Sequence, residues 1–181
     1  MLILARKDHY NMGRRYVIYI VIVLSAIALL FSCKKENENP PSVVINELMP
    51  LNNHTVVDQD GEFDDWIELF NNSNQEIDLS DYYLSDSDKN ITKWRFPLGT
   101  TISANGYLIV WADGDTDQVG LHANFRLSAD GEEVVLSNPE MVIVDYVKFG
   151  AQSAELSFSR VPNGTGEFSW QQPTFNGPNG F

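Results

Sequence analysis

The sequence predicts an all-β fold, a sandwich of two facing sheets, and three observations carry that prediction. Apolar runs are short, and turn signals separate them roughly every 8–12 residues. No window after residue 41 sustains the apolar period of an amphipathic helix. The run Trp66-Ile67-Glu68-Leu69-Phe70 is β-branched and aromatic, opens on Asp64-Asp65 and closes on the turn cluster Asn71-Asn72-Ser73, as a central strand and its exit loop should.

In chain order, the first element is a leader. Residues 16–31 are uncharged and strongly apolar, Arg14 and Arg15 precede them, and Leu30-Phe31-Ser32-Cys33 ends them. A positive start, an apolar middle and a small residue before the cut define a secretory signal peptide, read here as residues 1–32 and helical until removed. Sixteen apolar residues fall short of the roughly 20 that a membrane-spanning helix needs. With cysteine directly after Ser32, the stretch resembles a bacterial lipoprotein signal with its lipobox. The resemblance implies cleavage before Cys33, diacylglycerol on the Cys33 sulfur and acylation of the new amino terminus. Two or more acyl chains hold a protein stably on a membrane, whereas one does so only marginally. Residues 33–41 are polar and end in Pro40-Pro41, a flexible tether. Lys34-Lys35-Glu36 also resembles, loosely, the surface-export signal of some outer-membrane lipoproteins; a plain solvated spacer fits the same residues.

The domain occupies residues 42–179. Ser42–Met49 reads as a first strand, stopped by Pro50, and a polar loop runs to Glu62. In the strand that follows, Ile67 and Leu69 share one face and Trp66, Glu68 and Phe70 the other. Ile77–Leu79, Tyr82–Leu84 and Ile91–Phe96 are shorter pieces. Asn105-Gly106 is a tight-turn signal leading into the apolar strand Tyr107–Ala112. Phe125–Leu127 is brief, Glu133–Leu136 follows the turn Ala129-Asp130-Gly131, and Met141–Phe149 reads as the last long strand.

Charge narrows the classes of partner. The chain carries 12 basic and 25 acidic residues; from Cys33 onward there are 8 and 24, a net charge of −16. Such a surface repels phosphate backbones, so no nucleic-acid partner is expected. The single cysteine leaves neither an internal disulfide nor a zinc-thiolate site.

Seven segments occur in the order and spacing of a known family. Ile45-Asn46-Glu47, Asp65–Asn71, Ile77-Asp78-Leu79-Ser80, Arg95-Phe96-Pro97, Gly106–Ala112 and Gly131–Leu136 resemble the lamin tail domain, most closely its bacterial secreted branch. Ser159–Gly164, then Trp170 and Pro173-Thr174 to Asn179, resemble that branch's C-terminal arm. The resemblance implies an immunoglobulin-like β-sandwich, and it marks Glu47, Trp66, Glu68, Asn71 and Trp111 as structural motif residues. Asn163 stands where the branch often has Asp, and Phe175-Asn176 where it has Pro-Gly. The arm therefore carries no assigned role on sequence grounds.

Candidate sites are few. Asp58, Asp60, Glu62, Asp64 and Asp65 put five carboxylates into eight residues, the ligand chemistry of a hard cation such as Ca²⁺ without EF-hand spacing. Asp113, Asp115 and Asp117 form a second acidic loop able to join the first in space; solvated surface charge explains both equally simply. Glu47 and Glu68, if turned inward, must be ion-paired or hydrogen-bonded, and Arg95, Arg126 and Arg160 are the available cations. His54 and His122 lie in loop-like sequence without a nucleophile motif. Trp66, Trp94, Trp111 and Trp170 with Tyr82 and Tyr83 serve either as core or as an exposed stacking platform.

The expectation is a non-catalytic lipoprotein held on the bacterial outer membrane through Cys33, facing the periplasm or the cell surface. Its domain serves in binding, adhesion or envelope structure, with a protein or polysaccharide as ligand. A Ca²⁺-assisted carbohydrate-binding module is the first alternative, and an accessory module for a secreted hydrolase the second.

Overall fold

The computed structural model describes residues 41–180. The leader, Cys33 and the tether up to residue 40 lie outside them. Among the described residues there are eleven strands and no helix. They are β1 Val43–Met49, β2 Trp66–Asn71, β3 Ile77–Asp78, β4 Tyr83–Ser85, β5 Trp94–Arg95, β6 Thr101–Ile102, β7 Tyr107–Trp111, β8 Glu133–Ser137, β9 Ile143–Lys148, β10 Ser157–Val161 and β11 Glu167–Gln171. A five-stranded sheet runs β11-β10-β1-β2-β7 and a four-stranded sheet runs β5-β4-β8-β9, with β3 and β6 as a separate pair. Every pairing between strands is antiparallel. This is the all-β sandwich that the strand lengths and turn spacing predict, in the immunoglobulin-like form that the family resemblance implies.

Alternation decides which side chains close the core. Ile67 and Leu69 of β2 and Val110 of β7 meet Leu84, Val134, Leu136 and Val147 of the smaller sheet, all buried. Each such side chain contributes about 1.5–3 kcal/mol by leaving water. Trp66, Glu68 and Phe70 point to the opposite face, as the period-two pattern requires. β1 breaks its own alternation with a bulge between Ile45 and Glu47. The bulge lets Ile45 and Leu48, three residues apart, both reach the core, and it turns Asn46 and Glu47 to the outer side.

Three expectations need correction. Phe125–Leu127 forms no strand, only a bridge between Asp113 and Arg126. Residues 91–96 contribute only Trp94 and Arg95 as strand. The last long strand is not 141–149: the hairpin β10–β11 follows it and extends the larger sheet. β10 reads Ser-Phe-Ser-Arg-Val, so hydrophobicity alone does not mark it. Ser157 and Ser159 are nevertheless fully buried and hydrogen-bonded to each other at 3.0 Å.

β10 also leaves β1 incompletely paired, and side chains fill the gap. Beyond Glu47, the Ile45 N–H donates to Asp145 Oδ2 at 2.8 Å, and the Ile45 carbonyl accepts from Arg160 Nε at 2.9 Å. Arg160 Nη2 reaches both Asp145 oxygens at 2.9 and 3.0 Å, and Nη1 donates to the Gly166 carbonyl at 3.1 Å. One ion pair thus stands in for a missing ladder rung and satisfies backbone groups that burial would otherwise leave unpaired.

Candidate functional site

The residues of the Ile45-Asn46-Glu47 and Trp66–Asn71 motifs meet on the outer face of the larger sheet, under the C-terminal arm. Glu47 and Glu68 are Cα partners across β1 and β2, and both have 0% exposure. Glu47 Oε1 accepts from the Thr174 N–H at 2.9 Å, and Oε2 lies 2.7 Å from the Thr174 hydroxyl. Glu68 Oε1 accepts from Asn46 Nδ2 at 2.8 Å, and Oε2 accepts from the Asn176 N–H at 2.7 Å. Burial pushes the Glu68 carboxyl up to about 8, the Glu47 charge adds to the rise, and the Asn46 and arm donors oppose it.

The three candidate arginines are engaged elsewhere. Arg95 pairs with Asp81, Arg160 with Asp145, and Arg126 donates through Nε to the Asp113 carbonyl at 2.5 Å. Uncharged donors hold the glutamates instead. The Asn46 amide is used in full: its oxygen accepts from the Gly164 N–H at 2.9 Å, and its nitrogen donates to Glu68 and to Asn163 Oδ1 at 3.0 Å. Asn163 Oδ1 also accepts from the Asn179 N–H at 3.0 Å, and Asn179 Nδ2 donates to the Asn46 carbonyl at 2.9 Å. Beside this polar network, Phe175 sits edge-on to Trp66 at 5.2 Å and tilted to Trp111 at 5.7 Å. With Met49 these rings make a second apolar cluster outside the main core. Thr174, Phe175 and Asn179 are therefore structural, and Phe175 fills its place with an aromatic ring. Asn71, fully buried, donates to the carbonyls of Gln75 and Ser103 and ties the exit of β2 to the loop after β6.

The two acidic loops do adjoin: Gln118 Nε2 donates to Glu62 Oε2 at 3.3 Å. Asp58 caps its own turn, with Oδ1 accepting from the N–H groups of Asp60 and Glu62 at 2.9 and 2.8 Å. Asp60 and Glu62 are exposed. Asp65 Oδ1 accepts from the Asn52 N–H at 3.4 Å, and burial raises its carboxyl to about 6. Burial first, and then the charges of Asp113, Asp58 and Glu62, raise Asp64. Asp58 Oδ2 and Asp64 Oδ2 are buried without a hydrogen-bond partner. Among the described residues, no group of three or more His, Cys, Asp or Glu side chains is arranged to hold a metal ion.

Asp113 serves the loop in which it stands. Its Oδ1 accepts from the Asp115 N–H at 2.9 Å and its Oδ2 lies 2.6 Å from His122 Nδ1; Asp115 and Asp117 are exposed. His122 Nε2 faces the Val119 carbonyl at 3.3 Å, and its ring stacks on Trp111. The His122–Asp113 pair is nearly sealed, with side chains 1% and 3% exposed. Trp66, Trp94 and Trp111 are buried, whereas Trp170 on β11 is 40% exposed and lies 4.5 Å from Phe158. Sequence reasoning missed Asn46 and Asp145 as network residues. Both had a signal, a polar residue inside an apolar strand.

Comparison with curated proteins finds no match. The family model of the lamin tail domain matches residues 36–151, which takes in β1 to β9 and the Glu47–Glu68 pair and stops short of β10, β11 and the arm. The match covers more than half of the chain and agrees with the all-β sandwich, so the chain belongs to the lamin tail domain family.

Proposed function

We propose that this chain is a lipid-anchored protein of the bacterial cell envelope whose lamin tail domain acts as a non-catalytic binding module. One observation carries the reading: the groups best suited to acid–base chemistry are committed to the scaffold. Glu47 and Glu68 lie beneath the arm, and both nitrogens of His122 have partners in a nearly sealed site. A general base must reach a substrate proton, and these groups face only protein. The anchor rests on Leu30-Phe31-Ser32-Cys33, and the strongly acidic exterior argues for a protein or polysaccharide ligand rather than nucleic acid. The test is Cys33→Ala in the full chain. Loss of fatty-acid labelling and release from the membrane fraction is the expected result; continued lipidation contradicts the anchor.

A second reading, a carbohydrate-binding module, draws on Trp170. A half-exposed indole backed by Phe158 offers a flat apolar face for a sugar ring. Trp170→Ala should then abolish retention on a polysaccharide that retains the parent protein.

A further inference from the structure

The arm covers two buried carboxylates that no cation neutralises. We propose that residues 172–180 are a strap whose docking on the outer sheet face is controlled by the protonation of the Glu47–Glu68 pair.

The geometry sets the conditions. The strap reaches the pair through the N–H groups of Thr174 and Asn176 and the Thr174 hydroxyl. Thr174 has one hydroxyl hydrogen but two oxygens close to its own, Glu47 Oε2 at 2.7 Å and Asn179 Oδ1 at 2.6 Å. The Asn179 amide is oriented by its donation to the Asn46 carbonyl, so its oxygen faces Thr174. A proton on the Glu47 carboxyl, donated to the Thr174 hydroxyl oxygen, satisfies both contacts; without it, one becomes a close approach of two lone pairs.

The elements around the pair supply no positive charge. β1 presents Glu47, β2 presents Glu68, and β7 presents Tyr107, whose hydroxyl accepts from Asn163 Nδ2 at 3.2 Å. β10 presents Ser157 and Ser159, and the strap presents Thr174, Asn176 and Asn179, all uncharged. Among the described residues no Lys, Arg or His hydrogen-bonds or ion-pairs with either carboxylate. A second negative charge in this space has no counter-charge, and admitting water by lifting the strap is the available relief. Burial and the neighbouring Glu47 charge raise the Glu68 carboxyl to about 8, against the opposing N–H donors of Asn46 and Asn176. Lifting withdraws Phe175 from Trp66 and Trp111 and bares an apolar strip with Met49.

The experiment follows tryptophan emission and chymotryptic cleavage after Phe175 in the full chain, in detergent, between pH 6 and 9.5. The wild type is expected to red-shift with a midpoint near pH 8, and its cleavage, measured relative to Glu68→Gln at each pH, to rise about tenfold across the transition. Glu68→Gln is expected to show no such step. If Glu68→Gln does not fold, Glu47→Gln serves: removing the neighbouring charge lowers the midpoint. An identical step in Glu68→Gln, an unmoved midpoint in Glu47→Gln, or full protection of Phe175 at pH 9.5 overturns the proposal.

Discussion

Glu47 and Glu68 face each other across β1 and β2 with no solvent exposure, and every direct hydrogen bond to either carboxylate comes from an uncharged group. Buried carboxylates usually find a cation. Here the amides and hydroxyl that replace it come largely from residues more than a hundred positions away in the chain.

The first prediction concerns stability against pH. The Glu68 carboxyl rises from 4.5 to about 8 on folding, so between those values the native state binds more protons than the unfolded chain. Stability is then highest below about pH 4.5 with respect to this group and falls as pH rises toward 8. Asp65, raised to about 6, adds to the fall between about pH 4 and 6. The loss from Glu68 is on the order of 2–4 kcal/mol. Urea midpoints at pH 5 and 8.5 measure it, and a flat profile would falsify the assignment.

Arg160→Lys should cost about 2–3 kcal/mol, because one ammonium cannot reach the Ile45 carbonyl, the Gly166 carbonyl and both Asp145 oxygens together. Chemical denaturation reads the loss. A change below about 0.5 kcal/mol would show that the pair is dispensable.

Two glycines should behave very differently. A Cβ on Gly166 would lie 2.0 Å from the Val161 carbonyl, so Gly166→Ala must shift backbone and should cost more than about 3 kcal/mol. Gly61 has φ +84° and open space around it, so Gly61→Ala should cost only about 1 kcal/mol of backbone strain. Thermal midpoints of the two variants rank them; equal losses contradict the packing at Gly166.

His122→Ala removes the partner of a sealed Asp113 and should destabilise by about 3 kcal/mol. The proposed anchoring through Cys33 is expected to be unaffected. Proteolytic nicking within 113–121 is the sensitive readout, since the pair closes that loop.

Metal dependence separates the binding readings. A non-metal module melts at the same temperature with EDTA and with millimolar Ca²⁺. A Ca²⁺-dependent rise would give the unpartnered oxygens of Asp58 and Asp64 a ligand and favour the calcium-assisted alternative.

Much of the fold was legible because one face of each central strand is apolar. The alternation of Ile67 and Leu69 against Trp66 and Glu68 read directly as two faces. β10 escaped because its inward positions are Phe158 and Arg160, a pattern without a hydrophobic period. The glutamates were legible as a problem but not in their solution. The sequence required each to be ion-paired or hydrogen-bonded without showing which; the partners are the Asn46 amide of β1 and the amides and hydroxyl of the C-terminal arm. The capping role of Asp58 lay in local turn chemistry, and the contact between the acidic loops lay in the tertiary fold.

The first strand has β2 on one side, and on the other it takes β10, with Asn179 on Asn46, from more than a hundred positions along the chain. This sheet therefore closes only once two segments more than a hundred positions apart have come together. Closure across such a separation is slow compared with pairing of strands adjacent in sequence.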